Sequence, residues 1–251
     1  MTGEPSRVDW LRGLTIAHRG YHAAHRTGPL WASGWVENSP SAIAGAVRAG
    51  LGVECDVQIS ADGQAIVFHD ESLDRLTHVT GPLTAHPAAI LQRIPIGGSR
   101  DTIPTLAQVL DIIAGQVPLL IEIKLAPKQN PAPLCEVVTK ALENYPGPVA
   151  VMSFSPKAPK WFAVHAPHIP RGLVIDAKDM TGWRAKCMTR WTLPRSHAEF
   201  AAIDIRALPN SAAALWRETM PLATWTVRRD FQRDLALAHA DALIAEGDGL
   251  P

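Results

Sequence analysis

The stretch GVECDVQISADGQAIVFHD, residues 52–70, decides how the rest of the chain is read. Its first eight residues form an apolar run of strand length, and residues 65–69, AIVFH, form another. Only SADGQ lies between them. A parallel crossover needs about a dozen residues or more, whereas Asp62-Gly63 is a hairpin signal. The two runs are therefore expected to pair antiparallel. Glu54 and Asp56 would then lie at the end away from the turn, and His69 would return to that same end. Residues i and i+2 of a strand share a face, so Glu54 and Asp56 point one way and Val53, Cys55 and Val57 the other.

Outward from this hairpin the pattern changes. Strand-length runs recur at LTIAH (14–18), PLLIEIK (118–124), PVAVMSF (148–154), RGLVID (171–176), FAAIDI (200–205) and LATWTV (222–227). Helix-like segments separate most of them. SPSAIAGAVRAG has a Ser cap with Pro just inside it and stops at Gly50. PTLAQVLDIIAG places Leu106, Val109, Leu110 and Ile113 at helical spacing. PAPLCEVVTKALENYPG, SAAALWRETM and DFQRDLALAHA behave likewise, while 177–199 has no readable pattern. Strand and helix alternating with short joins imply a parallel sheet with helices outside. Eight runs in 251 residues favour a closed (β/α)8 TIM-type barrel, somewhat distorted by the hairpin, over an open sheet. One domain, residues 1–251, is expected.

The chain carries 24 basic and 24 acidic side chains. That balance argues against a nucleic-acid or membrane-surface protein. No apolar stretch approaches the length of a membrane span, so no stable membrane insertion is expected. MTGEPSRVDWLRG has no apolar signal region. Cys55, Cys135 and Cys187 fit neither a disulfide framework nor a zinc site, and point to buried filler in a reducing, cytoplasmic setting.

Polar groups inside apolar strands carry the functional signal, because an unpartnered buried charge is costly. They are His18 and Arg19, Glu54 and Asp56, His69 and Asp70, Glu122 and Lys124, and Trp225. A lone strand-end carboxylate is ordinarily a salt-bridge partner, and a lone Trp is core. Here the groups fall at successive strand ends, where barrel enzymes keep their chemistry. Converging carboxylates stay ionised only with cations among them, and oxygen ligands select a hard ion, Mg2+ or Ca2+. Arg19 and Lys124 suit a phosphate, and His18 and His69 can exchange protons near neutral pH. The set suggests phosphoryl transfer with a general acid and a general base. His22 and His25 lie in the loop after the first run and are expected at the surface. Ser153 lacks the strained turn of a nucleophile elbow and is expected only to line the site.

These residues resemble the glycerophosphodiester phosphodiesterase family. AHRG (17–20), ENSPSAIAGAVRAG (37–50), VECDVQISADGQAIVFHDESLDRLT (53–77), IPTLAQVLD (103–111), LLIEIK (119–124), MSFSP (152–156) and WTV (225–227) match it in order. The resemblance implies a distorted (β/α)8 barrel that cleaves a glycerophosphodiester, a small-molecule substrate, to glycerol 3-phosphate and an alcohol through a cyclic phosphate. It puts metal ligands at Glu54, Asp56 and Glu122 and catalytic histidines at His18 and His69. It puts phosphate contacts at Arg19 and Lys124 and a substrate-packing aromatic at Trp225. Asn38 is expected near the site, and Glu37 to orient groups or approach the metal. The 21–36 loop, with Trp31 and Trp35, is longer than in compact members and could cap the site. Ala245-Glu246 stands where many relatives have Thr-Asp. No inserted capping domain follows His69. A lysophospholipase D-type activity is the main alternative, and a non-catalytic phosphate-binding barrel is a further one.

Overall fold

The computed structural model describes residues 6–22 and 35–251. The chain divides into two compact units, Ala17–Val149 and Met1–Ile16 with Ala150–Pro251.

In the unit Ala17–Val149, the expected hairpin forms. Strand β1 (Thr15–Ala17) leads into this unit, followed by helix α1 (Pro40–Arg48) and strands β2 (Gly52–Ile59) and β3 (Ala65–Val67). Ser39 caps α1 by accepting from the Ala42 N–H at 3.1 Å, with Pro40 in the first turn. β3 pairs antiparallel with β2, Val57 opposite Val67 and Ile59 opposite Ala65. Gly63, at φ +78°, supplies the left-handed turn residue. Residues 68–103 then wrap an apolar cluster of their own that includes Phe68, Leu73, Leu83, Leu91 and Ile103. Only helix α2 (Ala88–Leu91) and a short 3-10 turn are regular there. Helix α3 (Leu106–Ile113) starts from a capping box between Thr105 and Gln108. Strand β4 (Leu119–Ile123) lies parallel on the other side of β2, and helix α4 (Ala132–Leu142) follows.

In the second unit, strands β5 (Val149–Ser153), β6 (Arg171–Ile175), β7 (Phe200–Asp204), β8 (Leu222–Val227) and β9 (Ala242–Ala245) pair in parallel in that order. Helix α5 (Lys157–His165), the helical stretch with α6 (Gly182–Cys187) and α7 (Leu193–Ser196), α8 (Ser211–Arg217) and α9 (Asp230–His239) connect them. α5 and the stretch 182–196 are helices the sequence reading did not resolve. β9 was also missed. It is four residues long with Ala at both ends, and Ala has little strand propensity. The eight apolar runs of the sequence include the antiparallel β3, whereas the eighth strand of the alternation is β9. Among the described residues no helix is long and apolar enough to cross a membrane.

The cross-strand pair Gly172 and Phe200 shows how closely this sheet is packed. A Cβ on Gly172 would run into the Phe200 ring. Gly172→Ala should lower the melting temperature by several degrees, corresponding to about 1–3 kcal/mol of overpacking. An unchanged melting curve would show that the Phe200 ring can move aside.

Candidate active site

The site in the unit Ala17–Val149 is built on strand register. Glu54 and Asp56 share the buried face of β2. Asp56 sits opposite Glu122 of the parallel neighbour β4, so Glu122 joins that face one strand over. All three carboxyl groups are buried, with one oxygen of each within 4.8 Å of the others.

Two cations face them. Lys124, on the same side of the chain as Glu122, places Nζ 3.0 Å from Glu122 Oε1 and 3.5 Å from Asp56 Oδ1. Arg19 places Nε 3.2 Å from Asp56 Oδ2, and its backbone N–H donates to Glu54 Oε2 at 2.9 Å. Asn38 Nδ2 donates to Asp56 Oδ2 at 2.9 Å, and the Asp56 N–H donates to Asn38 Oδ1 at 3.3 Å. The backbone pays local strain for this arrangement. Arg19 and Asn38 are both left-handed, at φ 56° and 58°, and the Asn38 N–H donates to the Arg19 carbonyl at 2.8 Å. Gly20 follows at φ 81°, where a Cβ would meet the Ala42 carbonyl carbon at 2.8 Å. Only glycine lets the chain pass the start of α1 this closely. His18, buried at the end of β1, enters the same turn.

A second chain of contacts runs from His69. Its Nδ1 is 2.6 Å from Asp70 Oδ1. Arg75 holds Asp70 through Nε at 2.5 Å and Nη2 at 3.1 Å, and holds Glu37 through Nη2 at 2.6 Å and Nη1 at 3.0 Å. Glu37 Oε1 also accepts from Arg19 Nη1 at 2.8 Å. His69 is thus linked through Asp70, Arg75 and Glu37 to Arg19 and the carboxylates. Glu37 lies between two arginines, outside the group formed by Glu54, Asp56 and Glu122. Gln58 Nε2 donates to the Phe68 and Asp70 carbonyls at 2.8 and 2.7 Å and closes the open end of the hairpin. A cleft of about 170 Å³ adjoins these groups, lined by His69, Lys124, Gln58, Glu71 and Gln129 among others.

The charges are unbalanced. Burial, then Asp56 and Glu122, push Glu54 well above the usual carboxylate range. Burial and then Asp56 push Glu122 up to about 7, against the pull of Lys124. Burial would also raise Asp56, but Arg19 and Lys124 outweigh it and hold that carboxyl well below the usual range. Burial would lower Lys124, and Glu122 and Asp56 raise it instead. Burial lowers His69, assisted by Arg19 and Lys124 and opposed by Asp56 and Asp70. Three buried carboxyl groups facing two cations leave the cluster short of positive charge. An all-oxygen donor set with that deficit fits a hard divalent ion.

Arg75 and Gln58 are not among the residues that the sequence points to, and the sequence assigns Asp70 no role. Gln58 continues the period-two polar series of Glu54 and Asp56, a signal that was available. Arg75 lies in the irregular 68–103 segment and has no periodicity to mark it. In the other unit, Ser153 ends β5 with its Oγ accepting from the Ser155 N–H at 3.1 Å, a local turn contact. Trp225, in β8, donates its indole N–H to the Ala202 carbonyl at 3.0 Å and meets Phe154 edge-on at 5.3 Å. Glu246, buried after β9, accepts from Arg228 Nε at 2.6 Å. His22, expected at the surface, is buried. His25 and Trp31 lie outside the described residues. Trp35 packs edge-on against Tyr21 at 5.6 Å and under the Arg48 guanidinium at 5.8 Å.

Relief of the charge imbalance is measurable. Glu54→Gln should raise the melting temperature of metal-free protein by a few degrees, about 1 kcal/mol, and should remove stabilisation by added Mg2+ or Ca2+. A lower melting temperature would mean that the Arg19 contact outweighs the repulsion.

Comparison with known proteins gives the family and the fold. The sequence model of the glycerophosphoryl diester phosphodiesterase family matches residues 18–246. A glycerophosphodiester phosphodiesterase of Caldanaerobacter subterraneus subsp. tengcongensis is 27% identical over 248 residues, covering 94% of this chain and 95% of its own. Among solved structures, an Oleispira antarctica phosphodiesterase in complex with the product sn-glycerol-3-phosphate has a TM-score of 0.75 at 22% identity, covering 93% of each chain. The glycerophosphodiester phosphodiesterase of Thermotoga maritima has a TM-score of 0.73 at 19% identity, covering 92% of this chain and 93% of its own. These likenesses give the fold as the (β/α)8 TIM-type barrel. With its buried carboxylate cluster and a family match over most of its length, the chain belongs to the glycerophosphoryl diester phosphodiesterase family, a class of phosphoric diester hydrolases.

Proposed function

We propose that the chain, one domain over residues 1–251, is a divalent-metal-dependent enzyme that hydrolyses glycerophosphodiesters to glycerol 3-phosphate and an alcohol. The observation that carries this reading is the cluster of three buried carboxyl groups facing Arg19 and Lys124, linked through hydrogen bonds to His69. Mg2+ or Ca2+ held by Glu54, Asp56 and Glu122 would supply Lewis-acid polarisation of a phosphoryl oxygen and a lowered pKa for the attacking hydroxyl.

The protein's own groups supply the rest. Arg19 and Lys124 bind the phosphate charge, and Asn38 holds Asp56 in place. Trp225, with its ring edge fixed by the Ala202 carbonyl, packs on the substrate, and Ser153 supports the site. Asp70, kept ionised by Arg75 against the effect of burial, accepts a hydrogen bond from a protonated Nδ1 of His69. Nε2 of His69 is then the basic nitrogen and takes the proton of the glycerol 2-hydroxyl as its oxygen attacks phosphorus. The bond from phosphorus to the leaving alcohol breaks, and His18 protonates that oxygen. In the second step His18 takes a proton from water as it attacks the cyclic phosphate. His69 returns its proton to the 2-oxygen, and glycerol 3-phosphate results. A cytoplasmic setting is part of the reading and rests on the free thiols of Cys55, Cys135 and Cys187.

The test is glycerol 3-phosphate release from a panel of deacylated diesters and lysophospholipids, using chelator-stripped protein with Mg2+ or Ca2+ added back. Metal-dependent release from a deacylated diester is expected. Alcohol release from lysophospholipids alone would instead establish a lysophospholipase D-type activity, and phosphate binding without turnover a non-catalytic barrel. His18→Ala and His69→Ala should each lower kcat by about 10²–10⁴-fold with far-UV circular dichroism unchanged. Full activity in either variant would remove that histidine from the mechanism. Asp70→Asn should lower kcat with little change in KM, because it disturbs the tautomer of His69 rather than substrate contacts. A change in KM alone would contradict that role.

A further inference from the structure

The segment TGWRAKCMTRWTLPRS, residues 181–196, lies between β6 and β7 and plays no part in the chemistry above. It contains Arg184, Lys186, Arg190 and Arg195 and no acidic residue, in a chain whose formal net charge is zero. Trp183 is 69% exposed and Trp191 48%. α6 and the helical turns Met188–Thr192 that continue it bury no residue at all. Tryptophan is among the side chains most buried on average, and a short helix without a buried face is marginal in water. Folding of the chain alone therefore gives no reason for two tryptophans here.

Their surroundings give one. Trp183, Cys187 and Trp191 are spaced four residues apart, the spacing that places side chains along one side of a helical segment. The Arg184 guanidinium lies 5.4 Å from the Trp183 ring centre, and those of Arg190 and Arg195 lie 5.5 and 4.5 Å from that of Trp191. Arg184 also pairs with Asp179 at 3.1 Å, whereas Lys186, Arg190 and Arg195 form no ion pair among the described residues. Indole rings beside guanidinium groups suit the headgroup layer of a bilayer, where the ring enters the interface and the cation meets lipid phosphate. The segment leaves the sheet at the C-terminal end of β6, where the Met180 carbonyl accepts from Asn210 Nδ2 in the loop after β7. Phe154, 44% exposed, follows β5 at that same end of the parallel sheet. Exposed aromatics, and cations with no ion pair among the described residues, thus lie in segments that leave one end of the sheet.

We propose that residues 181–196 form a peripheral docking surface for an anionic phospholipid bilayer, with Trp183 and Trp191 entering the headgroup layer and Lys186, Arg190 and Arg195 pairing with lipid phosphates. Zero net charge does not oppose this, since attraction to a lipid surface acts within a Debye length and depends on the local patch. The contact is superficial and reversible, without a spanning helix. It does not depend on which diester the enzyme hydrolyses.

The test is co-sedimentation of the full chain with phosphatidylcholine vesicles, with and without phosphatidylglycerol, at low and high salt. The protein should partition onto phosphatidylglycerol vesicles only, and less at high salt. Each cation removed should weaken partitioning by roughly fivefold, so the double variant Arg190→Glu/Arg195→Glu should lose at least about 20-fold. Trp183→Ser/Trp191→Ser should lose binding and the quenching of tryptophan fluorescence by brominated lipid. Both variants should keep the wild-type melting temperature and soluble-diester hydrolysis. No partitioning, equal partitioning onto both vesicle types, or binding unchanged in both variants would overturn the proposal. Tighter binding to duplex DNA than to phosphatidylglycerol vesicles would also overturn it, in favour of a nucleic-acid partner.

Discussion

Three buried carboxyl groups within one small volume are the constraint around which the unit Ala17–Val149 is organised. Burying one unpaired carboxylate is already costly, and burying three side by side adds mutual repulsion. The surrounding contacts answer that problem. Arg19 and Lys124 pair with the cluster, Asn38 donates to Asp56, and the Arg19 N–H donates to Glu54. These contacts leave the raised pKa values of Glu54 and Glu122 uncorrected. A site left electrostatically incomplete by its own residues is suited to receive a cation, so the cost in apo stability and the capacity to bind share one origin.

The same constraint accounts for irregular backbone nearby. Arg19 can present both its N–H and its guanidinium to carboxylates only by leaving β1 in a left-handed turn, and Asn38 meets it in the same conformation. The β2–β3 hairpin interrupts the strand–helix alternation where a crossover would carry His69 away from Asp56. Pairing Val57 with Val67 brings the residues after β3 back toward the carboxylates, and the Phe68 N–H donates to the Asp56 carbonyl at 3.0 Å. The hairpin is therefore what brings the segment carrying His69 back toward the buried carboxyl groups.

Arg75 shows how the irregular segment contributes. Among the described residues its hydrogen bonds go to Asp70 and Glu37, so its guanidinium joins the partner of His69 to the partner of Arg19. Its own position depends on residues 68–103 folding over an apolar cluster. The segment lacks regular secondary structure but has a core, and that core is what makes its loops usable as supports.

The sequence by itself determined the elements with strong local signals. Alternating apolar runs and helix caps marked seven of the eight strands in the strand–helix alternation, and Asp62-Gly63 marked the hairpin. The polar residues at strand ends marked the candidate site, because charge in an apolar strand stands out without any knowledge of its neighbours. β9 stayed hidden because Leu243 and Ile244 alone, between two alanines, are too short a run to mark a strand, and pairing with β8 and β1 makes them one. Arg75 stayed hidden because its importance lies in Asp70 and Glu37, five and thirty-eight residues away, and no local period records such a contact. The burial of His22 and the exposure of Trp183 likewise depend on what packs nearby. Local chemistry chooses strand, turn and charge, whereas which charges meet, and which go unpaired, is decided by long-range packing.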